Sequence, residues 1–142
     1  MNTPLARFLG VDYGQKRVGL AIADPIGMIA TPAGFIPRRA GKRPPIAEII
    51  RRAEALEARG FVIGLPLDGS GGETEWTAEV RRVGDELAKR TSLPVQYQDE
   101  RYTTATSLRI IREMEGSTRG RKGDVDAMAA AVLLQHALNA TE

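Results

Sequence analysis

The chain of 142 residues has no cysteine and one histidine. The first absence excludes disulfides, thiol catalysis and any Cys-ligated zinc or iron–sulfur centre. The second excludes a His-rich metal site, and a Ser-His-Asp triad would have to use His136. That residue lies near the end of the last expected helix and reads as a dipole partner or a surface residue. Aromatic residues are scarce, at 5%, which argues against a platform for stacking single-stranded bases. No apolar run approaches the roughly 20 residues that span a bilayer. Met1 to Arg7 holds no apolar run of signal-peptide length. The expectation is a cytoplasmic protein without membrane contact. Lysine is also rare: 4 of the 20 cations are Lys and 16 are Arg. Arginine is the better fork for phosphate oxygens, although an Arg-biased genome would give the same count.

Hydrophobic residues make up 42% and charged residues 27%, the balance of a globular domain. The length suits a single domain over residues 1–142. The formal charge of +2 says little by itself about partners.

Apolar runs at Arg7–Asp12 and Arg17–Asp24 read as two strands of an antiparallel hairpin, joined through Gly14, which can take positive φ. A third strand is expected between Met28 and Ile36, with Pro32 marking it as irregular or an edge. Pro44-Pro45 opens a helix with Ile46, Ile49, Ile50, Ala53 and Leu56 on one face, and Gly60 reads as its stop. Phe61–Leu65 is a short apolar run suited to a buried strand. A helix from about Glu73 to Arg90, a strand at Pro94–Gln98, a helix from Thr103 or Thr104 to about Glu115, and an almost wholly apolar helix over Asp124–Ala140 complete the pattern. A flexible basic loop, Gly116–Gly123, separates the last two helices. The order β-β-β-α-β-α-β-α-α predicts an α/β fold, a mixed five-stranded sheet with helices on both faces.

Three acids stand where solvated charge would not ordinarily go: Asp12 at the end of the first strand, Glu100 after the Pro94 strand, and Asp126 inside an apolar helix. Strand ends near a topological switch collect ligands in open sheets. Converging carboxylates repel unless they share protons or a cation, and an all-oxygen set suits Mg²⁺ or Mn²⁺ rather than zinc. Each acid also has a plainer reading: Asp12 as a turn cap, Asp99-Glu100-Arg101 as a surface ion-pair cluster, Asp124 as a helix N-cap with Asp126 favouring the same helix end.

The neighbourhoods of these acids are specific. Leu9-Gly10-Val11-Asp12-Tyr13-Gly14-Gln15-Lys16-Arg17-Val18-Gly19-Leu20-Ala21 resembles the opening motif of the YqgF/RuvX family. Val62-Ile63-Gly64-Leu65-Pro66-Leu67 resembles its second motif, Asp99-Glu100-Arg101-Tyr102-Thr103-Thr104 its third, and Val125-Asp126-Ala127-Met128-Ala129-Ala130 through Leu134-Gln135 its last. The sequence departs from the family pattern at Ala23, where Ser is usual, and at Asp68, where Asn is usual. The family is described both as Holliday junction resolvases and as pre-16S rRNA nucleases. The resemblance implies a ribonuclease H-like fold and a catalytic, metal-binding trio of Asp12, Glu100 and Asp126. It also implies two divalent ions, Mg²⁺ or Mn²⁺, acting in phosphodiester hydrolysis.

The expected partner is nucleic acid. The residues alone do not choose between branched DNA and structured RNA; it is the resemblance, through the family's link to rRNA maturation, that favours structured precursor rRNA and through it a ribosomal particle. Lys16 and Arg17, Arg101, and Arg119, Arg121 and Lys122 adjoin the acids in sequence and are candidate phosphate contacts. Arg38, Arg39, Lys42 and Arg43 form a further basic loop. Binding by such groups is salt-sensitive and weakly sequence-specific. The Asp68–Gly72 loop offers backbone N–H groups to phosphate but lacks the Lys-Ser/Thr of a nucleotide-binding loop. The rival readings are a non-catalytic nucleic-acid-binding module of ribosome assembly and an actin-like ATPase, which would need a second such domain.

Overall fold

The computed structural model describes residues 4–38, 42–101 and 121–141. The elements run β1 (Phe8–Tyr13), β2 (Arg17–Ala23), β3 (Ala30–Pro37), α1 (Ile46–Ala55), β4 (Gly60–Leu65), α2 (Glu75–Thr91), β5 (Val95–Asp99) and α3 (Arg121–Ala140). One five-stranded sheet has the order β3-β2-β1-β4-β5. β2 is antiparallel to β1 and β3, whereas β4 is parallel to β1 and β5. The wholly buried β1 is central, and the Pro-bearing β3 is an edge, as the sequence predicts. The expected helix at Thr103–Glu115 lies outside the described residues.

Alternation along the strands divides the core between two faces. On one, Leu9 and Val11 of β1, Leu20 of β2 and Phe61 and Ile63 of β4 pack under Ile49 of α1 and Val80, Val83 and Leu87 of α2. On the other, Phe8, Ala21 and Val62 pack under Ala130, Leu133, Leu134 and Leu138 of α3. Helices therefore cover both faces. The α3 face of the sheet is lined with glycine. A Cβ at Gly10 would lie 2.9 Å from Leu134 Cβ and 3.2 Å from the Ala130 carbonyl, so α3 rests almost directly on the β1 backbone.

Four sequence readings change. Gly14 is not among the residues with positive φ; its Gly is required because a Cβ would press on the Arg17 carbonyl, to which Gly14 N–H bonds over 3.0 Å. α1 ends at Ala55, and the left-handed residue that turns the chain is Glu57, at φ 55°. Gly60 is instead the first residue of β4, where a Cβ would collide with the Phe8 ring. α3 includes 121–123, so the helix takes in the end of the expected loop, and Asp124 sits inside the first turn rather than capping it. α2 begins at Glu75 behind a Thr74 cap, which exchanges reciprocal bonds with Thr77.

Candidate active site

The three parallel strands β1, β4 and β5 end on the same side of the sheet, and the antiparallel β2 begins there. Asp12 has the parity of Gly10 and so faces α3. Its cross-strand partner on β2 is Gly19, and the β1–β4 pairing of Val11 with Ile63 places Gly64 beside it on the other flank. Both glycines make room for an acid. A Cβ at Gly64 would strike the Glu100 carboxylate, and one at Gly19 would strike the Asp126 carbonyl. Glu100 continues β5 past its end, its N–H lying 3.4 Å from the Leu65 carbonyl. Asp126 comes down from α3. The three acids are 5%, 8% and 3% exposed, so all three are buried on one face of the sheet, around the Asp12 end of β1. Among the described residues, no three acids are drawn tightly enough together to enclose a metal ion as they stand.

The sequence cluster Asp99-Glu100-Arg101 divides in space. Strand alternation sends Glu100 inward. Asp99 and Arg101 pair at the rim, with Arg101 Nη2 2.9 Å from Asp99 Oδ2, and this pairing holds the Asp99 carboxyl below its ordinary range. Arg101 also lies against Gly71 in the Asp68–Gly72 loop. There Asp68 Oδ1 accepts from Ser70 N, Ser70 Oγ and Gly72 N over 2.7–2.9 Å. The Ser70 hydroxyl, ahead of the two backbone donors, lowers the Asp68 pKa. Asp68 is thus the internal brace of its loop. Asp24 has the same kind of task, accepting from Met28 N and Ile29 N where β2 turns into β3.

The basic candidates take different positions. Lys16 is exposed in the β1–β2 turn. Arg17 turns inward, and its Nε donates to Asp126 Oδ2 over 2.5 Å. Arg38, read as part of a basic loop, is largely covered instead: its guanidinium lies 4.5 Å from the Tyr13 ring centroid and donates to the Gly14 carbonyl over 2.7 Å. Arg119 and Arg39 lie outside the described residues. Arg121 and Lys122 begin α3, where only their backbone is described. His136 is exposed near the end of α3, away from the acids. Arg17 as a partner of Asp126, and the two glycines that seat Glu100 and Asp126, do not stand out in the sequence. The only signal for the glycines is their place inside two motifs.

Similarity to known proteins extends over nearly the full chain. The model of the RuvX family, described as Holliday junction resolvase, matches residues 6–140. A protein of Rickettsia bellii, provisionally named a pre-16S rRNA nuclease, is 38% identical over 136 residues, covering 96% of this chain and 88% of that one. A protein of the same provisional name from Lactobacillus delbrueckii subsp. bulgaricus is 39% identical, with 94% and 96% coverage. Among solved structures, Thermus thermophilus RuvC in complex with a Holliday junction substrate superposes with a TM-score of 0.57 at 14% identity, covering 94% of this chain and 93% of that one.

Proposed function

The chain belongs to the RuvX family of Holliday junction resolvases, and on that footing we propose that it is a divalent-metal-dependent nuclease whose substrate is the 5′ end of pre-16S rRNA. The observation that carries this reading is the burial of Asp12, Glu100 and Asp126 on one face at the carboxyl ends of parallel strands. Three carboxylates buried on one face set like charges against one another, so such a group is a poor way to stabilise a fold. It is a good way to hold a hard cation. The donor set is all oxygen, which fits Mg²⁺ or Mn²⁺, and the glycines at 19 and 64 leave the room beside Asp12 in which Asp126 and Glu100 are seated.

Asp12, Glu100 and Asp126 would hold the metal. When bound, a pair of such ions supplies an activated water and stabilises the departing 3′ oxygen. The remaining tasks fall to the chain's own residues. Lys16 and Arg101 stand at the rim on either side of the acids. With Arg119, Arg121 and Lys122 they supply positive charge along which a phosphate backbone is held. No histidine is needed as a base.

The RNA reading is supported by the relatives at 38–39% identity that carry the rRNA-nuclease name, whereas RuvC, at 14%, speaks to the fold alone. The test is a side-by-side cleavage assay with Mg²⁺ or Mn²⁺ on a precursor 16S end fragment and a four-way DNA junction. Faster cleavage of the RNA is expected. Preferential cleavage of the junction would overturn the substrate assignment. Tight binding without cleavage of either would favour a non-catalytic assembly module.

A further inference from the structure

Asp126 is nearly inaccessible, and a cation reaches its carboxylate from far away in the sequence: Arg17, 109 residues earlier, donates its Nε to Oδ2 over 2.5 Å. The arginine is itself only 18% exposed. Its backbone is fixed on both sides. The Arg17 carbonyl accepts from Gly14 N–H, and the neighbouring Lys16 carbonyl accepts from Arg38 N–H over 2.8 Å. Gly19, two residues on, lets the Asp126 backbone lie against β2. The turn therefore delivers a guanidinium to one carboxylate oxygen of a residue read above as a metal ligand.

We infer that Arg17 is a positioning residue, a resident counter-ion that holds Asp126 in place in the metal-free protein and yields its carboxylate to the divalent cation. The inference rests on the reading of Asp126 as a ligand. A buried carboxylate must have a compensating charge. A guanidinium and a divalent ion on the same oxygen would stand within about 5 Å of each other, and two like charges at that range in a poorly solvated site repel strongly. The ion has twice the charge and a shorter reach to oxygen, so the guanidinium is the group that moves. Its long stem permits this without disturbing the anchored turn.

The experiment uses the full chain, with Mn²⁺ binding followed by calorimetry and unfolding followed in EDTA and in Mn²⁺. Arg17→Gln is expected to melt earlier than the parent in EDTA, to gain more from Mn²⁺, and to bind it on the order of tenfold more tightly, about one factor of ten for the removal of a competing cation. Arg17→Lys keeps the charge and is expected to restore an affinity near the parent's. Equal or weaker Mn²⁺ binding by Arg17→Gln would overturn the inference, because an arginine that stays to support the ligand would be missed. Asp126→Asn reports separately on the underlying reading: if it binds Mn²⁺ as tightly as the parent, Asp126 is not a ligand and both fall. Should Arg17→Gln fail to fold, the parent decides the matter by NMR. The Arg17 Nε–H signal is expected to move to the position of a solvated arginine on addition of Mg²⁺, and an unmoved signal would contradict displacement.

Discussion

Gly64 illustrates how a residue with no side chain shapes the proposed site. The Glu100 carboxylate occupies the space where its Cβ would be, and Leu133 of α3 closes that space from above, 2.8 Å from the same point. Gly64→Ala must therefore shift either the acid or the helix. We expect it to cost about 1–3 kcal/mol, the usual range for overpacking, and to lower cleavage by at least roughly tenfold, since ångström-scale misplacement of a reacting group is expensive. Gly60→Ala is the matched control. It collides with the Phe8 ring at the opposite end of the same strand, so it should lower the melting temperature while leaving the specific activity of the folded fraction intact. Equal loss of activity in both would show that Gly64 matters only for packing. Asp12, Glu100 and Asp126 are legible in the sequence because each acid is out of character with its apolar surroundings. Arg17 on Asp126 is not, because that pairing depends on how α3 is laid across the sheet, and no local pattern encodes this.

At the level of the elements, which strands are buried and which is an edge is readable from composition: largely apolar runs for β1 and β4, and proline in the edge strand β3. Ends are less readable. α1 stops five residues before the glycine that looks like its terminator, because Glu57 adopts the left-handed turn instead. A further joint emerges only in three dimensions. Tyr13 at the end of β1 stacks on Trp76 of α2 with centroids 5.5 Å apart, donates its hydroxyl to Glu79 Oε2 over 3.3 Å, and is covered by Arg38 from the end of β3. Burial, partly opposed by Arg38 and assisted by Glu79, pushes the Tyr13 pKa up from 10.0 to about 12. The folded state thus disfavours the phenolate. The stability this contributes is complete below pH 10 and is lost as pH rises towards about 12. Urea unfolding between pH 9 and 12 should show this decline in the parent and a shallower one in Tyr13→Phe. Identical profiles would mean that the joint does not sense the phenol.

The chain as a whole gathers the three buried acids at one end of the sheet, and in the proposed function a nucleic-acid substrate meets them through its phosphates. The formal charge of +2 is too small to bind nucleic acid by itself, so the placement of cations decides. Neutralising Arg119, Arg121 and Lys122 together is expected to weaken binding across sequences and to flatten the plot of log affinity against log salt by up to about three units, roughly one for each phosphate that is no longer neutralised. An unchanged slope, measured by titration from low to moderate salt, would remove this segment from the interface. No helix among the described residues is long and apolar enough to cross a membrane.

If the buried acids perform chemistry and do not merely brace the fold, Asp12→Asn is the decisive variant, because the two side chains have nearly the same shape and differ by one negative charge. Purified parent and variant should be compared for cleavage of a precursor 16S end fragment with Mg²⁺ or Mn²⁺, with binding of the same RNA and melting in EDTA measured alongside. Cleavage is expected to fall by at least roughly 10²-fold, while RNA affinity and melting temperature are retained or rise, since one repulsive buried charge is gone. A structural cap would behave in the opposite way, losing about 1 kcal/mol of stability and keeping its chemistry. Cleavage by Asp12→Asn at the parent rate would contradict the mechanism.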